Sequence, residues 1–155
     1  MNPKLIKITI PTAPVAQARP RAVNMARRRN YYKPGKPQII LYDPINVKRF
    51  KQLLGYYVRE HYAGEPLVGP LRVTITFYRE IQKSDSLKKQ QAKDAGLIRP
   101  THKPDVDNYV KSSLDALNGV LWADDSDIVE FAAGKYYSKH PHIEIEVEML
   151  DVKGG

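Results

Sequence analysis

Residues 103–130 read KPDVDNYVKSSLDALNGVLWADDSDIVE. At about 100° per residue, Val106, Val110, Ser113, Leu114 and Leu117 fall on one side, so the stretch predicts a helix from about Asp105 to Leu117 with that side in the core. Asn118-Gly119 is a helix stop. Asp105 and Asp107 stand at the helix mouth, two residues apart. Where the chain is still extended, residues so spaced point to the same side. Asp107 and Lys111 lie about 40° apart beside the apolar stripe by the same helical arithmetic. Asp124-Asp125 follow the helix and lead into a strand from Ile128 to Tyr137.

Carboxylates gathered around a lysine, in a chain of net charge +8, point to a metal site that works on a polyanion. Mg²⁺ takes one or two carboxylates and completes its shell with waters and phosphate oxygens. Such an ion lowers the pKa of water and stabilises charge on a scissile phosphate, and Lys111 is spaced to hold a phosphate or orient the attacking water. The same residues also have a plain structural explanation. Aspartates at N-cap and N2 suit free amides and the positive end of the helix dipole. Asp107 with Lys111 is an ordinary i, i+4 ion pair, and residues 124–127 suit a polar turn. Spacing alone leaves both explanations open.

Outward from the motif, the rest of the chain predicts an α/β fold of the α+β type. Helices pack on a small mixed sheet of about four strands, in the order β-α-β-(α)-α-β-β. Lys4–Ile10 alternates as a first strand. Asp43-Pro44 starts a helix, with Asp as N-cap and Pro at N1. Its buried stripe is Phe50, Leu53, Leu54, Tyr57 and Val58. Leu71–Tyr78 is a second strand, with Val73, Ile75 and Phe77 on one face. Ser84–Ala95 is a short lysine-rich helix. Residues 143–149 alternate Ile143, Ile145, Val147 and Met149 with three glutamates, which predicts one face in the core and one in water. This strand is expected to close a C-terminal antiparallel hairpin with the one before it, around His140-Pro141-His142. Trp122 is expected to be a packing or dimer residue.

The length suits one domain, expected over residues 1–150, with 151–155 a frayed tail and 11–42 a basic, proline-punctuated loop or arm. No cysteine is present, which excludes disulfides, thiolate zinc sites and cysteine nucleophiles. No apolar run is long enough for a membrane span, and no signal peptide is recognisable, so the expected place is the cytoplasm. The charge is uneven. Between Pro11 and Tyr42 stand Arg19, Arg21, Arg27, Arg28, Arg29, Lys33 and Lys36, with no Asp or Glu. Lys83, Lys88, Lys89, Lys93, Arg99 and Lys103 form a second basic run. Such fields attract phosphate backbones through counterion release, and Tyr31 and Tyr32 in the first patch suit stacking on exposed bases. A solvated surface would look the same in composition.

Asp105-Val106-Asp107-Asn108, Lys111, Leu114-Asp115-Ala116-Leu117-Asn118-Gly119 and Asp124-Asp125 together resemble the signature of the RusA-type Holliday junction resolvases of bacteria and phages. The resemblance extends to Arg19-Pro20-Arg21 and to the closing strands. It implies a small α/β homodimer that binds four-way branched DNA and cuts two opposed strands with Mg²⁺, or Mn²⁺ in its place. It implies no nucleotide cofactor. By position it assigns the catalytic and metal-holding aspartates to Asp105, Asp107 and Asp125, and the essential lysine to Lys111. Two departures are visible. Asp127 stands where an uncharged polar residue is frequent, and Gln17 where a lysine is frequent. A non-catalytic branched-DNA-binding protein is the alternative from another class, and a nuclease for other branched DNA the alternative within it. A restriction-type site would need Asp151-Val152-Lys153, in the tail. A phosphatase of the D-x-D type would need an apolar strand where Thr101-His102-Lys103-Pro104 stands.

Overall fold

A computed structural model of the chain describes residues 4–24 and 39–150. The elements are β1 (Leu5–Ile10), β2 (Arg21–Asn24), β3 (Ile39–Tyr42), α1 (Ile45–His61), β4 (Leu71–Glu80), α2 (Leu87–Asp94), α3 (Val106–Leu117), a single 3-10 turn (Asp125–Asp127), β5 (Ile128–Ser138) and β6 (His142–Met149). Four strands form one mixed sheet in the order β1-β6-β4-β5. With three helices beside it, this is the expected α+β class.

β4 runs through the sheet interior and sets its two faces. Leu71, Val73, Ile75 and Phe77 are buried, and the residues between them are not. The antiparallel register places Val147, Ile145 and Ile143 of β6 opposite Val73, Ile75 and Phe77. Ile6, Ile8 and Ile10 of β1 follow in the same row. Phe50, Leu54 and Val58 of α1, with Tyr109 and Leu117 of α3, join that face in one core. Trp122 is fully buried there, and its Nε1 donates to Asn118 Oδ1 at 2.8 Å. It is a packing residue. The other face carries Glu144, Glu146 and Glu148 of β6 and Glu130 of β5, with Arg72 bridging Glu130 and Glu148.

The expected C-terminal hairpin does not form. β5 pairs with β4 in parallel, and β6 pairs with the other edge of β4, antiparallel. β4 therefore lies between the last two strands. Crossing it takes two strand spacings, about 9.5 Å, and the four Cα steps from Ser138 to His142 reach about 13 Å when extended. Tyr78 of β4 stacks on Tyr136 of β5 at 5.6 Å and on His142 of β6 at 4.0 Å.

Three other expectations change. The basic stretch between β1 and α1 contains β2 and β3, which pair antiparallel from Arg21↔Tyr42 to Asn24↔Ile39. Asp43 does not cap α1. Pro44 holds the N-cap position, and the Asp43 carboxylate turns instead to Lys51 Nζ (2.8 Å) and Gln17 Nε2 (2.9 Å). Leu53 is 39% exposed. The buried stripe is Val47, Phe50, Leu54, Gly55 and Val58, rotated toward Gly55 because α3 approaches there. A Cβ on Gly55 would lie 3.8 Å from the Ala116 carbonyl oxygen. α2 forms as expected, with the Ser86 hydroxyl accepting from the Lys89 amide. No helix among the described residues is long and apolar enough to cross a membrane. Residues 151–155 lie outside the described part.

Candidate active site

The N-terminal end of α3 is held from two sides. The segment after β1 runs along the helix, where the Ser112 hydroxyl donates to the Val15 carbonyl at 2.6 Å and the Gln17 amide donates to the Asn108 carbonyl at 2.9 Å. From below, Lys135 of β5 donates through Nζ to the carbonyls of His102 (3.2 Å) and Pro104 (3.1 Å). Arg79 of β4 points its guanidinium at the carbonyls of His102 and Lys103. Lys135 pairs in register with Phe77, so it is a charged residue at a helix-facing position of a strand. That break in the apolar pattern was the available signal for it, while nothing local to the sequence marks Arg79, Val15 or Gln17.

Asp105 takes the N-cap position with extended backbone (φ −70°, ψ 150°), yet its carboxylate makes no capping hydrogen bond. Asp107 already lies in the first turn, so the fully extended Asp-x-Asp geometry does not arise. Asp105, Asp107 and Lys111 are exposed. Among the described residues the ion pair Asp107–Lys111 does not form, and none of the three is in any salt bridge. The capping bond and the i, i+4 pair of the plain structural explanation are therefore missing, while Asp107 keeps a first-turn place that suits the helix dipole and residues 124–127 do form a polar turn.

Several charges outside the motif are engaged. Lys51 bridges Asp43 and Asp115 at 2.8 and 3.3 Å. The Lys51 ammonium, helped by the Gln17 amide, holds the Asp43 carboxyl below its ordinary value. Lys93 is buried against Asp85 and lies 4.5 Å over the Tyr137 ring. Its ammonium is the main reason the Asp85 carboxyl is held low. Arg99 stacks on Tyr136 and donates to the Lys135 carbonyl. Lys93 and Arg99 of the second basic run are thus structural.

Two clefts flank the segment over α3. One, of about 480 Å³, brings Arg19 together with Lys111, Lys51 and Asp115. The other, of about 780 Å³, has Asp105 on its lining with Arg79, Lys103 and Tyr109. Arg21 sits in β2 and is exposed. Arg27, Arg28, Arg29, Lys33 and Lys36, with Tyr31 and Tyr32, fall outside the described residues.

Asp125 is elsewhere. It lies in the turn entering β5, whose first residue Ile128 pairs with Leu71 at the start of β4. Asp105 sits at the opposite end of these strands, beside Arg79 and Lys135. Among the described residues, no group of three or more His, Asp or Glu side chains is placed to hold one ion. Asp124 accepts from the Ser126 hydroxyl at 2.6 Å, the chief cause of its lowered pKa.

The family model described as "Endodeoxyribonuclease RusA" matches residues 11–148. The chain belongs to the RusA endodeoxyribonuclease family. A relative from Bacillus subtilis (strain 168), named only as uncharacterized protein YqaN, is 40% identical over 144 residues, covering 92% of this chain and 94% of its own. RusA membership implies a nuclease, a hydrolase that acts on DNA junctions. The match takes in the Asp105–Lys111 motif, the Asp124-Asp125 turn and Arg19-Pro20-Arg21.

Proposed function

We propose that this RusA-family chain is a Mg²⁺-dependent endonuclease that resolves Holliday junctions by paired, symmetric cuts, as a cytoplasmic homodimer serving DNA recombination and repair. The observation that carries this reading is the uncommitted state of Asp105, Asp107 and Lys111 on a helix end that Ser112, Asn108 and Lys135 fasten in place. Charged groups held still without a protein partner are suited to a ligand.

The donor set fits a hard cation. Two carboxylates with open solvent around them match what Mg²⁺ takes from a protein when waters and substrate phosphate fill the rest of its shell, and Mn²⁺ accepts the same donors. Bound there, the cation supplies charge that eases deprotonation of water and offsets charge developing on the phosphate. In the hydrolysis, a water oxygen bonds to phosphorus as one ester P–O bond breaks, leaving one phosphate end and one hydroxyl end. Lys111 donates to a non-bridging phosphate oxygen, and Arg19, in the same cleft, takes the neighbouring phosphate. Arg21, Arg27, Arg28, Arg29, Lys33 and Lys36 add phosphate contacts that position the DNA without reading its bases.

Asp125 enters from a second copy. The distance between the two ends of α3 separates it from Asp105 within one chain, and a two-fold dimer is the simplest assembly that brings one chain's Asp125 to the other's Asp105. The test is cleavage of a labelled four-way junction with and without Mg²⁺, beside a panel of flaps and linear duplex. Cation-dependent paired cutting of the junction, lost in Asp105→Asn, is expected. Tight junction binding with no cutting under Mg²⁺ or Mn²⁺ would leave a non-catalytic binder, and equal cutting of flaps a nuclease for branched DNA at large.

A further inference from the structure

The larger cleft beside Asp105 has chemistry that phosphate hydrolysis does not use. Its 780 Å³ falls in the size range of ligand pockets. Pro14 and Pro104 are among its apolar lining, and Tyr109 lies against it. That tyrosine is only 3% exposed, and its ring is backed by Phe77 at 5.2 Å. Besides Gln17, whose side-chain amide is engaged with Asp43, three side-chain amides line the cleft, those of Asn46, Gln82 and Asn108. None of them, nor the Tyr109 hydroxyl, hydrogen-bonds to another described residue. Uncommitted amides between apolar walls match the donor and acceptor edges of a nucleobase. A phosphate would call for cations and backbone amides; of the two cations on the lining, Arg79 and Lys103, Arg79 is already turned to the carbonyls of His102 and Lys103.

We propose that this cleft receives an unstacked nucleobase from the DNA strand whose phosphate lies at Asp105. The proposal rests on the nuclease reading of the neighbouring carboxylates and deepens it. A base next to a branch point lacks part of its stacking, so drawing it out costs less than drawing one from a continuous duplex. Admission of that base is then a means by which the enzyme distinguishes a branched strand from a linear one.

The test uses the full-length protein with four-way junctions in EDTA, so that no strand is cut. 2-Aminopurine replaces, in turn, each nucleotide flanking the branch point. The wild-type protein is expected to raise fluorescence several-fold at one position and leave the others near their free values. Ala13→Trp fills the cleft from its exposed rim, and it should erase that rise while phosphate contacts still bind the junction. As a second readout, an abasic site at the responding position should weaken wild-type binding about tenfold, within the range for one stacked base, and leave the affinity of the Ala13→Trp protein nearly unchanged. A bound junction with no position-specific rise overturns the proposal, as does a rise that survives Ala13→Trp. Cutting with Mg²⁺ but no such rise sinks the cleft and keeps the nuclease. A rise that Ala13→Trp erases, without cutting under any cation, keeps the cleft and sinks the nuclease.

Discussion

Mixing two inactive variants, Asp105→Asn and Asp125→Asn, is expected to restore cutting. The reason is distance. α3 has 12 residues and carries the chain about 18 Å from its first turn to its last at 1.5 Å per residue. Asp125 follows the far end. Two carboxylate oxygens on one Mg²⁺ lie within about 4.2 Å of each other, since each stands about 2.1 Å from the ion. One chain cannot bridge that gap without unfolding, whereas a two-fold pair closes it by exchange. After free subunit exchange at equal amounts, half of the dimers are mixed, and each mixed dimer has one site with both substitutions and one with neither. About a quarter of all sites are then intact. The assay is strand cleavage of an end-labelled junction after exchange in mild urea and dialysis, with Mg²⁺ added last. Single nicks should form at roughly a quarter of the wild-type rate, with few paired cuts, because each working dimer has only one live site. If mixed dimers are present by mass and the rate stays at that of the separate variants, each site is built from one chain and the distance argument fails.

Asp125→Asn should lose cleavage and keep or tighten junction binding, since a charge that repels phosphate is removed, while Asp124→Asn should lose little activity because its carboxylate serves the Ser126 turn; cleavage and gel-shift assays of both variants decide this, and the reverse pattern would shift the turn's register by one residue. Ser112→Ala leaves the Val15 carbonyl without its donor and should cost about 1–3 kcal/mol in urea denaturation. Ser113→Ala should be neutral or stabilising, because the buried Ser113 hydroxyl has no partner among the described residues; equal losses from the two would refute the contrast. For Asp43 the folded pKa lies below its ordinary value of 3.8, so its contribution is fully present above the unfolded value, about 3.9, and is lost as pH falls through the folded one. The urea midpoint of Asp43→Asn should therefore fall short of wild type at pH 6 and approach it as the pH drops below about 3.9; a gap that does not narrow would mean Lys51 is not the partner that matters.

The sequence shows most plainly those elements whose periodicity has one interpretation. Residues 143–149 alternate so regularly that β6 and its buried face follow directly, and the α3 stripe follows from 3.6-residue spacing. What sits beside an element is less visible. Nothing in the run from Ile128 to Met149 says that β4 inserts between its two strands, because strand pairing is decided by distant residues. Leu53 fits an apolar stripe as well as Gly55 does until α3 is present to choose between them. Asp43 satisfies every local rule for an N-cap and is drawn off by Lys51, eight residues on. At the site, the motif singled out Asp105, Asp107 and Lys111 at the start of α3, whereas Lys135 and the segment over α3 come from remote parts of the chain. The distance from Asp105 to Asp125 was invisible, since a separation of about 20 residues along the chain is compatible with contact or with opposite ends of a sheet.

The back of the sheet gives the molecule a heading. Four glutamates stand there against Lys7, Arg72 and Arg99, so that face holds none of the chain's +8 surplus. On the opposite side, Arg19, Lys51 and Lys111 share the cleft beside α3. A polyanion approaching at random would therefore exert a torque that turns the helix side inward before contact, within the ~8–10 Å over which charge is felt at physiological salt. Docking begins with Lys111 and Arg19 already leading, and added salt should slow that alignment before it weakens the final grip.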